Sequence, residues 1–339
     1  MASSRIRAAF IGAGKQANWR HYPSVATQPD VELAALCDLV PEKAEETAAR
    51  WEVPKVYTDY KKMLDEVDPE VVYVIMPPQD VFEPTQYVLS QGRNVFIEKP
   101  PSVTLHGIKL LAHYAELNDC TTMVGFQRRH VPSVAALKAR VEERGPIHAV
   151  TVANLKSTRD FSQHTGGVGL LDIFTSDGMH SVDHLRWLGG GDIVGLASNV
   201  RTVYTPGPVA NHIMAQVEFA SGIVGQLHYS IVSGGAQIVP GATAAGFFRT
   251  EIFGKNATAT IDADRQSTYV EDSGELEVYD SKVFSEDVGS NPEHYLGFWH
   301  QHRYFIDCLQ AGEQPNAHFG DAVRTWEFIQ QIYEAAPDW

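Results

Sequence analysis

Apolar residues in the first 125 positions fall into short continuous runs, each closed by a turn residue and followed by a mixed, helix-forming stretch. Ile6 to Ile11 is the first run; it stops at Gly12, and Ala17 to Gln28 predicts the helix that follows. Val31 to Cys37 repeats the pattern, ends at Asp38 and gives way to the Glu-, Lys- and Ala-rich stretch from Pro41 to Trp51. A short strand near Tyr57 and a helix over Asp59 to Glu66 come next. Val71 to Ile75 is a β-branched run of the kind buried on both faces, and Pro77-Pro78 stops it. A helix to Ser90, a strand over Asn94 to Ile97, a helix over Thr104 to Asn118 and a strand over Thr121 to Val124 complete the series. Alternation of this kind predicts an α/β fold built on a doubly wound parallel sheet with right-handed crossovers.

Beyond Gly125 the period changes. Val134 to Glu143 and Met179 to Leu188 read as helices, whereas Ile193 to Val203, Ile213 to Phe219, Ile223 to Ile231, Phe247 to Phe253 and Ala257 to Ile261 read as strands. Several of these alternate apolar and polar residues, and Ser221-Gly222 is a turn signal, so a mostly antiparallel sheet with one covered face is expected. Helices over Tyr295 to Gln310 and Ala322 to Ala335 close the chain, and the Gly- and Ala-rich stretch from Val232 to Gly246 suggests a mobile loop. The expected division is a parallel-sheet domain over 1–125 and a second, α+β domain over 126–339.

A length of 339 residues suits two domains. The 42 acidic against 27 basic residues give a formal charge of −15, which disfavours nucleic acid and anionic membranes as partners. A pocket can still be locally positive, so a phosphorylated substrate stays open. Cys37, Cys120 and Cys308 lie far apart, as reduced thiols of a cytoplasmic protein do, and suggest neither a disulfide frame nor a metal site. MASSRIRAAFIG lacks a long apolar core, so no signal peptide is expected, and no apolar run approaches the ~20 residues of a membrane span.

Candidate chemistry begins at Gly12-Ala-Gly-Lys-Gln-Ala17, which follows the first strand and opens the first helix. Gly12 permits the tight turn, Gly14 lets the backbone approach a pyrophosphate, and Ala17 allows close helix–strand packing. The helix N-terminus then offers free N–H groups to phosphates. Asp38, about 20 residues on at the end of the second strand, is placed to accept from ribose hydroxyls. Its charge would repel a 2′-phosphate, and Leu39 and Val40 supply no compensating arginine, so NAD is expected over NADP.

At Ile97-Glu98-Lys99-Pro100 an apolar strand ends in Glu-Lys-Pro. With that turn, GAGKQANWRHYP, YTDYKKMLDEVDPEVVYVIMPP, VGFQRRHVPSV and DGMHSVDHLRWLGG together resemble the glucose–fructose oxidoreductase and inositol dehydrogenase family (Gfo/Idh/MocA). The resemblance covers the first domain and the core of the second, and weakens after about residue 240. It implies a Rossmann domain, then a large open, mostly antiparallel sheet with helices that help form the active site. It also implies bound NAD or NADP and a polyol-like substrate. Lys15, Gln16, Pro77, Gln79, Glu98, Lys99 and Gln127 would join Gly12, Gly14 and Asp38 around the cofactor. Gln79, Asp80 and Phe82 depart from the histidines that members often carry there. Many members have Asp-x-x-x-His, but Ser176 lies four before His180; Asp177 lies three before and Asp172 eight before.

Hydride transfer at a carbinol carbon leaves a hydroxyl proton that a group titrating near neutrality handles best. His180 is the expected acid/base. Lys99 is expected to stabilise charge on the substrate oxygen, and Asp177, or else Asp172, to act as the third catalytic group. Arg128, Arg129 and Asp183 are expected at the substrate pocket, one arginine donating to hydroxyls and the other pairing with a surface carboxylate. Lys156, Arg159 and His164 form a polar loop that either lines the pocket or is simply solvated. His180 and His184 have a metal-like spacing without further ligands, and His300 and His302 are expected at the surface, so no metal is predicted. A homo-oligomer, dimer or tetramer, is expected. Two other functions fit the same residues: a non-catalytic NAD-binding sensor, and an NAD-retaining enzyme that cleaves glycosidic or ether bonds through transient oxidation.

Overall fold

The computed structural model describes residues 5–156, 171–204, 210–232, 247–262, 266–289 and 291–337. Residues 233–246, most of the expected mobile loop, and Arg159 and His164 lie outside the described residues. The chain forms two compact units, Met1–Phe126 with Phe298–Arg324, and Gln127–Gly297 with Thr325–Trp339. In chain order the strands are β1 (Ile6–Ile11), β2 (Val31–Cys37), β3 (Val56–Tyr57), β4 (Val71–Val74), β5 (Asn94–Ile97), β6 (Thr122–Val124), β7 (Ile147–Leu155), β8 (Ile193–Arg201), β9 (His212–Phe219), β10 (Val224–Ser230), β11 (Phe247–Gly254), β12 (Ala257–Asp262), β13 (Gln266–Glu271) and β14 (Leu276–Asp280). The α-helices are α1 (Tyr22–Ala26), α2 (Pro41–Trp51), α3 (Tyr60–Val67), α4 (Phe82–Ser90), α5 (Leu105–Leu117), α6 (Pro132–Arg144), α7 (Met179–Gly189), α8 (Pro292–Tyr295), α9 (Phe298–Ala311) and α10 (Phe319–Glu334).

The first unit carries a six-stranded sheet in the order β3-β2-β1-β4-β5-β6, parallel throughout. Strand order reverses between β1 and β4, which puts a ligand crevice at the carboxyl ends of those strands. Helices cover both faces, so β4 is buried along its whole length, as its unbroken apolar run requires. Phe10 stacks on Tyr22 and Tyr73, with centroids 4.2 and 4.7 Å apart, and Tyr73 and Phe96 extend the cluster to Phe305 of α9. Sequence had assigned everything after residue 125 to the second domain; the structure instead groups Phe298–Arg324 with the first unit. The reason is packing: Phe305, Ile306 and His302 are fully buried, against aromatic rings of β4 and β5 for Phe305 and His302. His302 is therefore a core residue and not the surface histidine expected.

The second unit is an eight-stranded sheet in the order β14-β13-β12-β11-β7-β10-β9-β8. Neighbours are antiparallel except β7 and β10, which run parallel. The helices α6 and α7 bury Leu137, Val141, Val182, Leu185 and Leu188 in this unit's core. Three strands escape the sequence pattern. In β7 the inward positions are Val150, Val152 and Asn154, and the buried asparagine breaks the apolar alternation just where the site lies. In β14 four of five residues are exposed, so no apolar face exists to be read, and β13 buries only Ser267 and Tyr269.

Candidate active site

In the first unit, Gly12 sits at φ +113°, and a Cβ there would lie 2.2 Å from the Ile75 carbonyl oxygen. Only glycine fits both the dihedral and the space. Gly12 N–H donates to the Cys37 carbonyl at 2.8 Å, tying the turn to β2. One Asp38 carboxylate oxygen accepts from Ala13 N–H at 2.8 Å and the other from Val40 N–H at 2.9 Å. Those two bonds fix the carboxylate at the end of β2 and leave lone pairs for ribose hydroxyls. Gly14, Lys15 and Gln16 are exposed, and no atom lies within 4 Å of a Cβ built on Gly14. The first helix opens at Lys15 and passes through a π-helical turn, Ala17–His21, before α1. Beside the loop lies a cleft of about 590 Å³ lined partly by Gly14, Lys15, Asn18, Lys43 and Arg50. Glycine cradle, helix N-terminus, ribose carboxylate and cationic cleft together fit a dinucleotide.

Two further loops end at the same edge of the sheet. After β4, Pro77 and Gln79 lie in a turn closed by Asp80 N–H on the Pro77 carbonyl. After β5, Glu98 accepts from the Lys99 N–H at 3.0 Å, and the Lys99–Pro100 peptide is cis. The other Glu98 oxygen lies 2.9 Å from His21 Nε2, and His21 Nδ1 lies 3.0 Å from His302 Nε2. One imidazole donates to the other across the His21–His302 contact, and His21 Nε2 faces the Glu98 carboxylate. Sequence reasoning missed both histidines. His21 stood in the quoted N-terminal segment, but its partner comes from 281 residues away and had no local signal.

In the second unit, the residues after β6 form a 3₁₀ turn, Gln127–His130. Arg129 meets both oxygens of Asp183 on α7, with Nε 2.8 Å from Oδ2, and Thr325 Oγ1 donates to Oδ1 at 2.9 Å. Arg129 is 4% exposed and Asp183 1%, so the arginine's partner is a buried carboxylate and not the surface one expected. Arg128 is only partly buried; its guanidinium lies 3.5 Å from the Phe248 ring centroid and donates to Ser181 Oγ at 3.1 Å. Burial brings its pKa down to about 10, opposed by Asp177, Tyr229 and Asp183.

His180 is the second residue of α7 and partly buried. A π-helical turn, Phe174–Gly178, precedes it, so spacings drawn on an ideal α-helix do not apply to Ser176 and Asp177. Asp177 accepts from Lys156 Nζ at 2.7 and 3.0 Å and from Tyr229 Oη at 3.1 Å. Burial first and Asp177 second hold the Tyr229 hydroxyl well above the ordinary phenol range. Asp172 instead accepts from Thr175 N–H, Thr175 Oγ1 and Tyr333 Oη, as a cap does. His184 is fully buried against Thr250 Oγ1 at 3.0 Å, and burial, then Arg128 and Arg129, push its pKa down to about 3. It is a neutral core histidine. Tyr229, Ser181, Asn154 and Phe248 were missed, since each sits on an element remote in sequence from the motif it serves.

Comparison with known proteins agrees with this geometry. The profile described as an oxidoreductase family with an NAD-binding Rossmann fold, GFO_IDH_MocA, matches residues 6–126, and its C-terminal domain profile matches 134–260. Among curated proteins, the scyllo-inositol 2-dehydrogenase (NAD(+)) of Bacillus subtilis is 25% identical over 68% of this chain and 68% of its own. The D-glucoside 3-dehydrogenase of Escherichia coli is 29% identical over 56% of each chain, so only just over half of that enzyme is spanned. Among solved structures, a dehydrogenase from Chromobacterium violaceum superposes with a TM-score of 0.83 at 20% identity, over 99% of this chain and 96% of that one. The two profiles together span well over half of the sequence, and the chain belongs to the Gfo/Idh/MocA family of NAD-binding oxidoreductases.

Proposed function

We propose that the protein interconverts a secondary hydroxyl and a ketone on a sugar, sugar derivative or cyclitol. The observation that carries this reading is the Glu98–Lys99–Pro100 turn, fixed at the carboxyl end of β5 in the sheet whose glycine cradle fits NAD. The inositol and glucoside dehydrogenases among the relatives support the substrate class.

Gly12, Gly14 and the N–H groups that open the first helix would hold the pyrophosphate, and Asp38 the ribose; Gln16, Pro77, Gln79 and Gln127 would complete the contacts. NAD, when bound, supplies the hydride acceptor. Lys99 donates from its ammonium group to the reacting oxygen and stabilises charge there. His180 takes the hydroxyl proton as the carbonyl forms and returns it in the reverse direction. Asp177, held by Lys156 and Tyr229, accepts from a neighbouring substrate hydroxyl or orients His180. Arg128 donates to the substrate, while Arg129 and Asp183 brace the pocket wall. Three buried free cysteines suit a reducing compartment such as cytoplasm. Exposed Met214, Val224 and Val278 on the large sheet suit a homo-oligomer, which sedimentation would check.

The test is NADH formation across a panel of sugars, inositols and their phosphates, followed by substitution. His180→Ala should lower turnover by about 10²–10⁴ and remove the limb of the pH–rate profile near neutrality, with NAD binding retained. Lys99→Ala should impair both chemistry and binding, and Lys99→Arg should not restore them. If His180→Ala only raises KM and leaves the pH profile intact, the proton belongs to Lys99 instead.

A further inference from the structure

We infer that the second unit contains an anion subsite centred on Arg128, and that the sugar oxidised by this enzyme carries a carboxylate or phosphate group. The inference rests on the redox reading above and narrows its substrate.

Arg128 and Arg129 are neighbours with opposite fates. Arg129 is neutralised by both oxygens of Asp183. Arg128 has five N–H donors, and among the described residues its one hydrogen bond goes to a neutral oxygen, Ser181 Oγ. That oxygen is itself fixed, because Asn154 Nδ2 donates to it at 3.2 Å from the buried interior of β7. Phe248 covers one face of the guanidinium. Stacked on a ring and held at one nitrogen, the planar fork is set in one orientation, with its other donors unanswered by any carboxylate among the described residues.

The charge balance points the same way. Asp177 is the carboxylate that acts most strongly on Arg128, and its oxygens are already engaged by Lys156 and Tyr229. Among the described residues of this cluster, Arg128, Arg129 and Lys156 stand against Asp177 and Asp183, an excess of one positive charge. The excess reaches His184, whose imidazole is held neutral by burial and then by both arginines. A cation whose donors meet no carboxylate directly is under-satisfied, whereas one beside an incoming carboxylate or phosphate gains two charge-assisted hydrogen bonds. Neutral hydroxyls would satisfy the donors without cancelling the charge. The chain as a whole is strongly acidic, so the cluster around Arg128 departs from its overall sign.

The experiment compares matched substrates on the NAD-loaded enzyme: D-glucuronate with D-glucose, D-galacturonate with D-galactose, and glucose 6-phosphate with glucose. The anionic member of at least one pair should have a kcat/KM higher by about 10- to 100-fold. Arg128→Gln should abolish that preference, and Arg128→Lys should retain part of it, since the charge stays and the fork is lost. A preference only for uronates assigns the planar carboxylate; a preference only for the 6-phosphate assigns phosphate. Calorimetric titration of D-glucuronate and glucose 6-phosphate into the NADH-loaded protein gives a readout independent of turnover. There the wild type should bind an anionic sugar at least about tenfold more tightly than Arg128→Gln. If neutral sugars turn over as well as their anionic partners, and Arg128→Gln lowers both equally, Arg128 is an ordinary hydroxyl donor and the subsite is refuted while the dehydrogenase reading stands. If nothing in the panel reduces NAD but anionic sugars bind through Arg128, the subsite stands and the redox reading falls. If neither turnover nor binding distinguishes charge, the inference is wrong.

Discussion

In the first unit the proposed cofactor cradle is built around backbone N–H donors and the Asp38 carboxylate, and what matters most is an absent side chain at Gly12. In the second unit the corresponding groups are side chains delivered by distant elements: Arg128 and Arg129 after β6, Asn154 and Lys156 at the end of β7, Asp177 and His180 around the π-turn, Tyr229 on β10 and Thr325 on α10. A backbone cradle tolerates little variation, because no residue but glycine enters its dihedral space. A side-chain pocket can change its charge and shape by single substitutions while the scaffold stays. The contrast teaches where fixed cofactor chemistry ends and substrate choice begins.

The sharpest way to break this comparison is to remove a charge from the side-chain pocket. Asp183→Asn takes the counter-charge from Arg129, which is 4% exposed. Breaking a buried pair from one side costs about 3–5 kcal/mol, because a charge is left behind without its partner. Urea unfolding of the full chain should show a loss of that size, while Arg128→Gln, which breaks no ion pair, should lose far less. Equal losses would mean that the two arginines are not the contrasting pair described here.

How much could be read from the chain follows the same divide. Gly12, Asp38 and Glu98–Lys99–Pro100 are local signals, since each works through its own backbone or the next strand end, and the parallel strands other than the two-residue β3 announced themselves as apolar runs. Arg128 and Asp177 were legible as residues but not as partners, because Ser181, Phe248, Lys156 and Tyr229 reach them only through tertiary folding. The π-turn at Phe174–Gly178 defeated spacing arguments built on 3.6 residues per turn. Strand β7, central to the second sheet, was overlooked because its site-facing position is Asn154 and not an apolar residue.

A second test works on the cradle itself. Gly12→Ala must place a methyl 2.2 Å from the Ile75 oxygen at φ +113°. It should destabilise the chain by about 2–4 kcal/mol and abolish NAD binding. Gly14→Ala meets no atom within 4 Å, so stability should stay within about 0.5 kcal/mol. NAD affinity should nevertheless fall, since the methyl would stand where the pyrophosphate approaches. Unchanged NAD binding in Gly14→Ala would remove that glycine from the site, and a fully stable Gly12→Ala would show that the turn can relax.

The smallest effect concerns the carboxylate of the first unit's cradle, Asp38. NAD should bind at least about tenfold more tightly than NADP, ~1.4 kcal/mol, because the Asp38 carboxylate repels a 2′-phosphate. The neighbouring cleft carries Lys15, Lys43 and Arg50 against Glu46, so with the Asp38 carboxylate gone the balance of charge favours phosphate. Asp38→Ser should therefore narrow the gap, with NADP affinity rising above that of the unmutated protein and NAD affinity falling. Asp38 also accepts from Ala13 N–H and Val40 N–H, so a loss of loop order must be separated from a loss of charge. Asp38→Asn makes the separation: it is nearly isosteric and can still accept one of the two bonds, but it carries no charge. If Asn narrows the gap as Ser does, electrostatic repulsion sets cofactor choice. If Asn keeps the gap and only Ser loses it, loop geometry sets it, and the cradle depends on backbone order even at its carboxylate. Equal affinity of the unmutated protein for NAD and NADP would sink the argument from Asp38 altogether.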